Sequence, residues 1–539
     1  MKNALLKKRL ITSILLINAL LLSGWSQSKT SKAEALKTMK AATTFLMNNV
    51  TYKGGFVWNY LPDFSRQWGE MEAYRTMAWV QPPGTPSVGH LLLDAYHATG
   101  DEFYYESAKT VANALIWGQL PCGGWNYMFD FAGENSLKQW YGTIGKQAWR
   151  LEEFQHYYGN ATFDDAGTIH AAKFLLRMYV EKNDPTFRPA VEKAIRFVLD
   201  SQYPIGGWPQ RYPLMYDHPF QGKEDYSSFI TLNDDVSIEN IEFLLQCYQA
   251  MGIQDIKEPI IRAMNILIVL QQGAPYAGWA DQYTVTDLKP AHARSYEPRA
   301  INTSTTVQMI YQMMEYYQLT GESKFIAGIP AAIKFLESIK LPDSELERYG
   351  RRAREGYDTF VPRFIDPDTG KPLYVHREGS NVVNGRYYTD QDITNTISHY
   401  SSGAFLNIAG IKEAYERVKN TPVNEFAKNS PLLSNEPIPL DKYYSRMPYG
   451  GRGDQEKGVS EIIKELTKEG YWLSPLRMIS NPYQKCPPMP ASNEKKYTAT
   501  FVGDTYDTSP YSSEETVMGI SMAAYIANMM KLIGYLDNN

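Results

Sequence analysis

Four stretches of the chain repeat one arrangement of apolar and polar positions. SVGHLLLDAYHATGDEFYYESAKTVANALIW, TIHAAKFLLRMYVEKNDPTFRPAVEKAIRFVLDSQ, SIENIEFLLQCYQAMGIQDIKEPIIRAMNILIVLQQ and STTVQMIYQMMEYYQLTGESKFIAGIPAAIKFLESIK each space apolar residues three and four apart, break at a short polar turn, and resume. That spacing belongs to a helix with one buried face, so each stretch predicts a helix, a turn and a second helix. Around them recur GGFVW (Gly54 to Trp58), GGWNY (Gly123 to Tyr127), GGWPQ (Gly206 to Gln210) and AGWAD (Ala277 to Asp281), at intervals of roughly 70–80 residues. A period of this size built from antiparallel helix pairs predicts an all-α fold of αα-hairpin repeats forming an (α/α) toroid or barrel, with the number of hairpins open.

The loop and helix start from Gly206 to Asn240 concentrate the candidate chemistry. Trp208 and Tyr212 offer flat apolar faces that stack on sugar rings or fill a core, and Pro209 and Pro213 stiffen the path between them. Gln210, in the same loop, and Tyr296, further on, join them as candidate substrate contacts. Asn233-Asp234-Asp235 then stands at the mouth of an apolar helical pattern, and Asp164-Asp165 stands at the mouth of the preceding one. The equivalent starts at Pro86-Ser87 and Thr303-Ser304-Thr305 carry no acids. If the hairpins form a ring, these starts gather on one rim, where the aspartates are either helix caps or a shared cation site.

Composition narrows the setting. With 539 residues, 43% apolar and 13% aromatic, the chain can bury a large core, and residues 28–539 read as a single toroid domain. Ahead of it, Lys2, Lys7, Lys8 and Arg9 precede an apolar run from Leu10 to Leu22 and small residues to Ser28, the layout of a secretory signal over 1–27. The run is short for a membrane span and is broken by Thr12, Ser13 and Asn18, so the expectation is export to the periplasm or beyond with no membrane anchorage after cleavage. Losing those four cations leaves roughly nine net negative charges, which argues against nucleic acid as a partner. Cys122, Cys247 and Cys486 make no metal-type spacing and read as structural, with one disulfide possible. Residues 340–392 read as a structured excursion turning at Asp368-Thr369-Gly370, followed by a helix over about 392–418 and a C-terminal extension over about 420–539 that ends in an apolar helix.

GGWPQRYP (Gly206 to Pro213), ITLNDD (Ile230 to Asp235), AGWADQYTVTDLKPAHARSYEPRAI (Ala277 to Ile301) and PRFIDPDTGKPLYVHREG (Pro362 to Gly379) together resemble the family 10 pectate lyases, as does the earlier TFDDAGT (Thr162 to Thr168). The likeness covers roughly 110–390. It implies an (α/α) toroid-type fold and Ca²⁺-dependent cleavage of polygalacturonate, an anionic polysaccharide, by β-elimination. It further implies Ca²⁺ ligands at Asp164 and Asp234, with Asp235 beside them, an arginine base at Arg294 and a substrate-carboxylate arginine at Arg377. The chain departs from that family in two places: ILIVLQQ (Ile266 to Gln272) lacks a basic residue used there on a substrate carboxylate, and Asn126-Tyr127 stands where another lysine is expected.

Such chemistry suits these residue types. The C5 proton of a uronate is α to a carboxylate, so abstraction needs that charge neutralised by a hard cation on oxygen ligands and by a two-point arginine clamp. Arginine titrates above about 12, so an arginine base predicts an alkaline optimum. Two other classes stay open. A glycoside hydrolase would use Asp164, Asp234 or Asp235 as its carboxylate pair without Ca²⁺, and a glycan-binding protein would keep the aromatic rim without the base. A terpene-cyclase-like toroid fits the Gly-Gly-Trp loops but not an export signal.

Overall fold

The computed structural model describes residues 31–537 except 148–151, 216, 220–221, 350–355, 378–386, 395, 397–401, 435–437, 445–456 and 477–516. The expected signal segment and Cys486 therefore lie outside the described residues. The principal helices, in chain order, are α1 (Lys32–Phe45), α2 (Thr85–Thr99), α3 (Glu102–Gly118), α4 (Glu134–Thr143), α5 (Glu152–Gln155), α6 (Gly167–Lys182), α7 (Arg188–Ser201), α8 (Val236–Met251), α9 (Lys257–Val269), α10 (Thr303–Thr320), α11 (Ile329–Ser338), α12 (Ile408–Asn420), α13 (Val459–Glu465) and α14 (Met522–Asp537). The helix expected over 392–418 begins later, at Ile408, because Gly403–Leu406 pairs as a strand with Thr359–Pro362.

These helices form the expected αα-hairpin repeats. α2 packs on α3, α6 on α7, α8 on α9, and α10 on α11. The first helices of the pairs also contact one another, α2 with α6 and α6 with α8, while the C-terminal α14 packs on α1 and α2. The helices α2, α6 and α8 are buried through most of their first three turns, as helices enclosed by neighbours must be. α7 buries one face, Ala190, Val191, Ala194, Ile195, Phe197, Val198 and Ser201, and lies outside them.

The recurring loops are structural joints. Gly54, Gly123 and Gly206 have φ of +88°, +104° and +117°, and a Cβ on them would fall 2.3–2.5 Å from the carbonyl oxygens of Thr110, Lys193 and Arg262 on the next outer helix. Only glycine allows both the left-handed backbone and that approach. The indole N–H of Trp125, Trp208 and Trp279 donates to the carbonyls of Leu115, Val198 and Leu267 at 2.7–2.8 Å, tying each loop to the helix it leaves. Gln119 and Gln202 likewise bridge their own loop to the next outer helix, through Ala190 and Pro259. A further copy, not apparent in the sequence pattern, lies at Gly470-Tyr471-Trp472: Gly470 has φ +101° against Ala41, and the Trp472 indole donates to Ile462. By the same geometry α13 is the outer helix that this loop leaves and α1 the next outer helix, with α14 packed on both.

On the loop side, short antiparallel ribbons link neighbouring repeats. Met77–Trp79 pairs with Met128–Asp130, Ala161–Thr162 with Arg211–Tyr212, Ile230–Thr231 with Gln282–Tyr283, and Ile301–Asn302 with Phe364–Ile365. At the other end of α8, Pro439 accepts from Gln249, and Tyr444 stacks on His90 at 3.6 Å and meets His170. Among the described residues no helix is long and apolar enough to cross a membrane. Cys122 and Cys247 are free thiols.

Candidate functional site

Two ribbons deliver the acidic residues. After Ala161–Thr162 and after Ile230–Thr231 the chain makes a single 3₁₀ turn before entering α6 and α8. In each turn two consecutive residues are left-handed: Asp165 and Ala166 with φ 48° and 56°, Asp234 and Asp235 with φ 53° and 60°. Non-glycine residues in this region store strain that the surroundings must hold, a pattern that clusters at functional sites. The superposed pattern pairs Asp165 with Asp234 and Asp164 with Asn233, a register not evident from the adjacent acidic pairs.

Asp164, Asp165 and Asp234 each bring a carboxylate oxygen within 4.8 Å of the others. Asp235 is not in this cluster; its carboxylate accepts from Gln308 on α10. Of the expected ligands, Asp164 and Asp234 lie in this cluster and Asp235 lies outside it, while Asp165, which was not among them, lies within; which carboxylates meet depends on how the two turns pack against each other. Gln81, ahead of α2, donates to Asp165 at 2.7 Å. Asp164 is fully buried: its Oδ2 accepts from the Tyr127 hydroxyl and from Arg294 Nη2, while its Oδ1 has no hydrogen-bond partner among the described residues. A buried oxygen left bare beside two half-buried carboxylates is the donor chemistry of a hard cation such as Ca²⁺, so these residues fit the ion that the resemblance implies.

Arg294 sits across from the aspartates in a tight turn closed by Glu297 N–H donating to its carbonyl. Its guanidinium meets Asp164 at 2.7 Å, Glu153 at 3.1 Å, Glu297 at 3.4 Å and Asp234 at 3.9 Å, with only 6% of the side chain exposed. Burial works against its charge, but Glu153 and Asp164 outweigh that and hold Arg294 well above the ordinary arginine range. Burial also pushes Asp164 upward, yet the Arg294 charge, the adjoining Asp234 carboxyl and the Tyr127 hydroxyl bring it below the usual carboxylate value. Asp234 goes the other way, driven well up by desolvation and by repulsion from Asp164 and Asp165.

Glu152 and Glu153 escaped the sequence reading. They lie on the four-residue α5, a segment without periodicity, 141 residues before the arginine that Glu153 touches, and no local signal announces that pairing. Glu152 accepts from the backbone N–H of Ser295 at 3.0 Å and from its hydroxyl. Arg211, also missed, is buried with its guanidinium 4.3 Å from the Tyr158 ring centre and 5.0 Å from that of Tyr127, and it donates to Asn126 and Asn160. Asn126, standing where the resemblance expects a lysine, is thus engaged by Arg211 and Tyr141. Gln271 bridges the Ala277 and Gly328 carbonyls, the same joint that Gln119 and Gln202 make, so the absence of a lysine there follows the repeat.

The expected substrate contacts divide. Trp208 is fully buried with its indole spent on Val198, so it is a joint of the fold and presents no face to a sugar. Tyr212 is half-buried against Phe197. Tyr296 is buried in a small cluster with Ala300, Phe364 and Val375. Gln210 is the exception: its carbonyl accepts from Phe163 beside Asp164, and neither atom of its buried side-chain amide has a hydrogen-bond partner among the described residues. Arg377 ends the strand Pro372–Arg377, and its side chain lies outside the described residues.

With the site laid out, comparison with known proteins can be set against it. Residues 134–396 match the family model of the pectic acid lyases. The pectic acid lyase match takes in both acidic turns, the Arg294 turn and the Pro372–Arg377 strand, and it begins and ends slightly later than the expected 110–390. A family 10 polysaccharide lyase from Cellvibrio cellulosa, solved as a mutant in complex with trigalacturonic acid, is 18% identical over 62% of this chain and 98% of its own, with a TM-score of 0.40. The same lyase solved without that mutation gives 18%, 61%, 97% and 0.40. A GH76 α-mannanase from Bacteroides thetaiotaomicron is 10% identical over 95% of this chain and 98% of its own, with a TM-score of 0.39. These likenesses are remote and assign no activity. No curated protein sequence matches the chain.

Proposed function

We propose that this protein is an exported polysaccharide lyase that cleaves polygalacturonate or a related uronan by Ca²⁺-assisted β-elimination. One observation carries the reading: three carboxylates and one guanidinium, from turns far apart in sequence, converge within the segment that matches the pectic acid lyases. Asp164, Asp165 and Asp234 would hold Ca²⁺, which when bound supplies a positive charge to neutralise a uronate carboxylate. Arg377 would clamp a substrate carboxylate from the end of a strand where it pairs with Tyr387, whose ring meets Tyr296, and Gln210 would offer its amide to the ligand.

In this reading Arg294 takes the C5 proton, the C5–H electron pair forms the C4–C5 double bond, and the O4 leaving group departs with a proton from water. The carboxylates around Arg294 favour its charged form, so the guanidinium must part from Glu153 and Asp164 and release a proton to solvent before it can accept the C5 proton. The hydrolase alternative fits less well. Glycosidases work with a pair of carboxyl groups set apart on either side of the scissile bond, whereas here three carboxylates each turn an oxygen to within 4.8 Å of the others, an arrangement that suits sharing an ion.

The test is to incubate the protein with polygalacturonate and related uronans at alkaline pH, with Ca²⁺ or with EDTA, and follow ultraviolet absorbance of the 4,5-unsaturated product. A Ca²⁺-dependent rise abolished in Arg294→Ala supports the lyase. New reducing ends without that absorbance would mean hydrolysis, and binding without cleavage would mean a glycan-binding protein.

A further inference from the structure

The guanidinium that must receive a substrate is enclosed. Arg294, Glu152 and Glu153 are each 4–5% exposed, and the cavity beside them, lined by Glu152, His156, Tyr158, Lys223, Tyr226 and Ser295, has a volume of about 10 Å³. Such a space holds at most one water. A uronate cannot enter unless something moves.

The contacts show which element is able to. Asp164 is fixed from below by the Tyr127 hydroxyl and sits at the start of the buried α6. Glu297 shares a turn with Arg294 and accepts from the Arg294 backbone N–H at 2.9 Å. Glu153 reaches the guanidinium from elsewhere, on the four-residue α5, and Glu152 latches that helix onto Ser295. Phe154 anchors it, buried with its ring centre 5.1 Å from that of Tyr127 and 6.0 Å from that of Trp140. Around Arg294 stand Glu153, Asp164, Glu297 and, further off, Asp234, so carboxylates outnumber the cation and repel one another. Of these, Glu153 is the one whose departure leaves the turn and the cation cluster intact.

We propose that α5 is a cover on the site, pivoting at Phe154, in which the Glu153 carboxylate occupies the place on Arg294 that an anionic sugar carboxylate takes when α5 swings away. The identity of that ligand rests on the lyase reading; the cover does not. Exchange of one carboxylate for another keeps the buried guanidinium paired while the sugar docks, ahead of the separation and deprotonation that its role as a base requires, and so avoids the cost of leaving a buried charge bare during entry.

Two readouts separate these claims. Phenylglyoxal modification of Arg294, mapped by peptide mass spectrometry against the half-exposed Arg188 as reference, reads the cover without any sugar. We expect Arg294 to be protected in the wild type and labelled at least tenfold faster in Glu152→Ala/Glu153→Ala. Glu153→Gln, which keeps the shape, should fall between them and serves if the double variant does not fold. Equal labelling of Arg294 in wild type and variants, or wild-type labelling as fast as Arg188, overturns the cover. Titration with trigalacturonate in Ca²⁺ then reads the occupant: a Kd at least threefold lower in Glu153→Gln supports displacement of Glu153 by a uronate. An unchanged Kd overturns the substitution of one carboxylate for the other. Faster labelling with no uronan bound or cut by any variant supports the cover and removes the lyase reading.

Discussion

Replacing Glu152 with glutamine should change how the α5 segment responds to pH. Burial raises the Glu152 carboxyl to about 7 from an ordinary 4.5, against the pull of the Ser295 hydrogen bonds and with help from neighbouring Glu153. A carboxyl raised on folding is more readily protonated in the folded state than in the opened one. Its contribution is therefore complete below about pH 4.5 and is lost as pH climbs through about 7. At about 1.4 kcal/mol per pH unit the difference is worth at most about 3.5 kcal/mol, or about two and a half decades in the opening equilibrium. Glutamine keeps the shape and does not titrate. Hydrogen exchange of the peptide spanning 152–158, corrected for intrinsic rates between pH 5 and 8.5, should show wild-type opening grow by one to two decades, while Glu152→Gln shows a much shallower rise. Identical pH dependence in both would refute the argument that Glu152 is desolvated and latched on Ser295. Opening at alkaline pH also agrees in direction with the alkaline optimum expected of an arginine base.

Three further outcomes follow from the geometry. Ca²⁺ at about a hundredfold over its Kd should stabilise the wild type by about 2.7 kcal/mol in thermal melts, an effect lost in Asp164→Asn and Asp165→Asn but kept in Asp235→Asn, since Asp235 faces Gln308. Trp208→Ala should cost about 3–5 kcal/mol in chemical denaturation, as truncation of a buried aromatic does, while leaving uronan affinity of the folded fraction unchanged. Gly206→Ala should be far more damaging than Gly100→Ala: a Cβ at Gly206 would lie 2.5 Å from the Arg262 carbonyl oxygen, whereas one at Gly100 meets nothing within 4 Å. We expect several kcal/mol at the first and about 1 kcal/mol at the second, read from urea midpoints.

What the amino-acid order determines alone is local. The apolar spacing of three and four fixed the hairpins, and the glycines of the recurring loops marked the joints, because helix formation and left-handed turns depend on residues a few positions apart. The repeat at Gly470 was hidden because only its Gly and Trp remain, and its role is visible only where it meets Ala41 across the chain ends. The acidic turns were also legible, yet adjacency suggested Asp234-Asp235 as a unit, while in the fold Asp235 accepts from Gln308 on a neighbouring helix and Asp165 joins Asp164 and Asp234, because which carboxylates meet depends on how two repeats pack. Trp208 was ambiguous between sugar platform and core, and burial decided it, since burial is a property of everything packed around a ring. Glu153 on Arg294 could not be read at all: a contact between residues 141 apart leaves no trace in local pattern and exists only because the fold closes a short helix over the site.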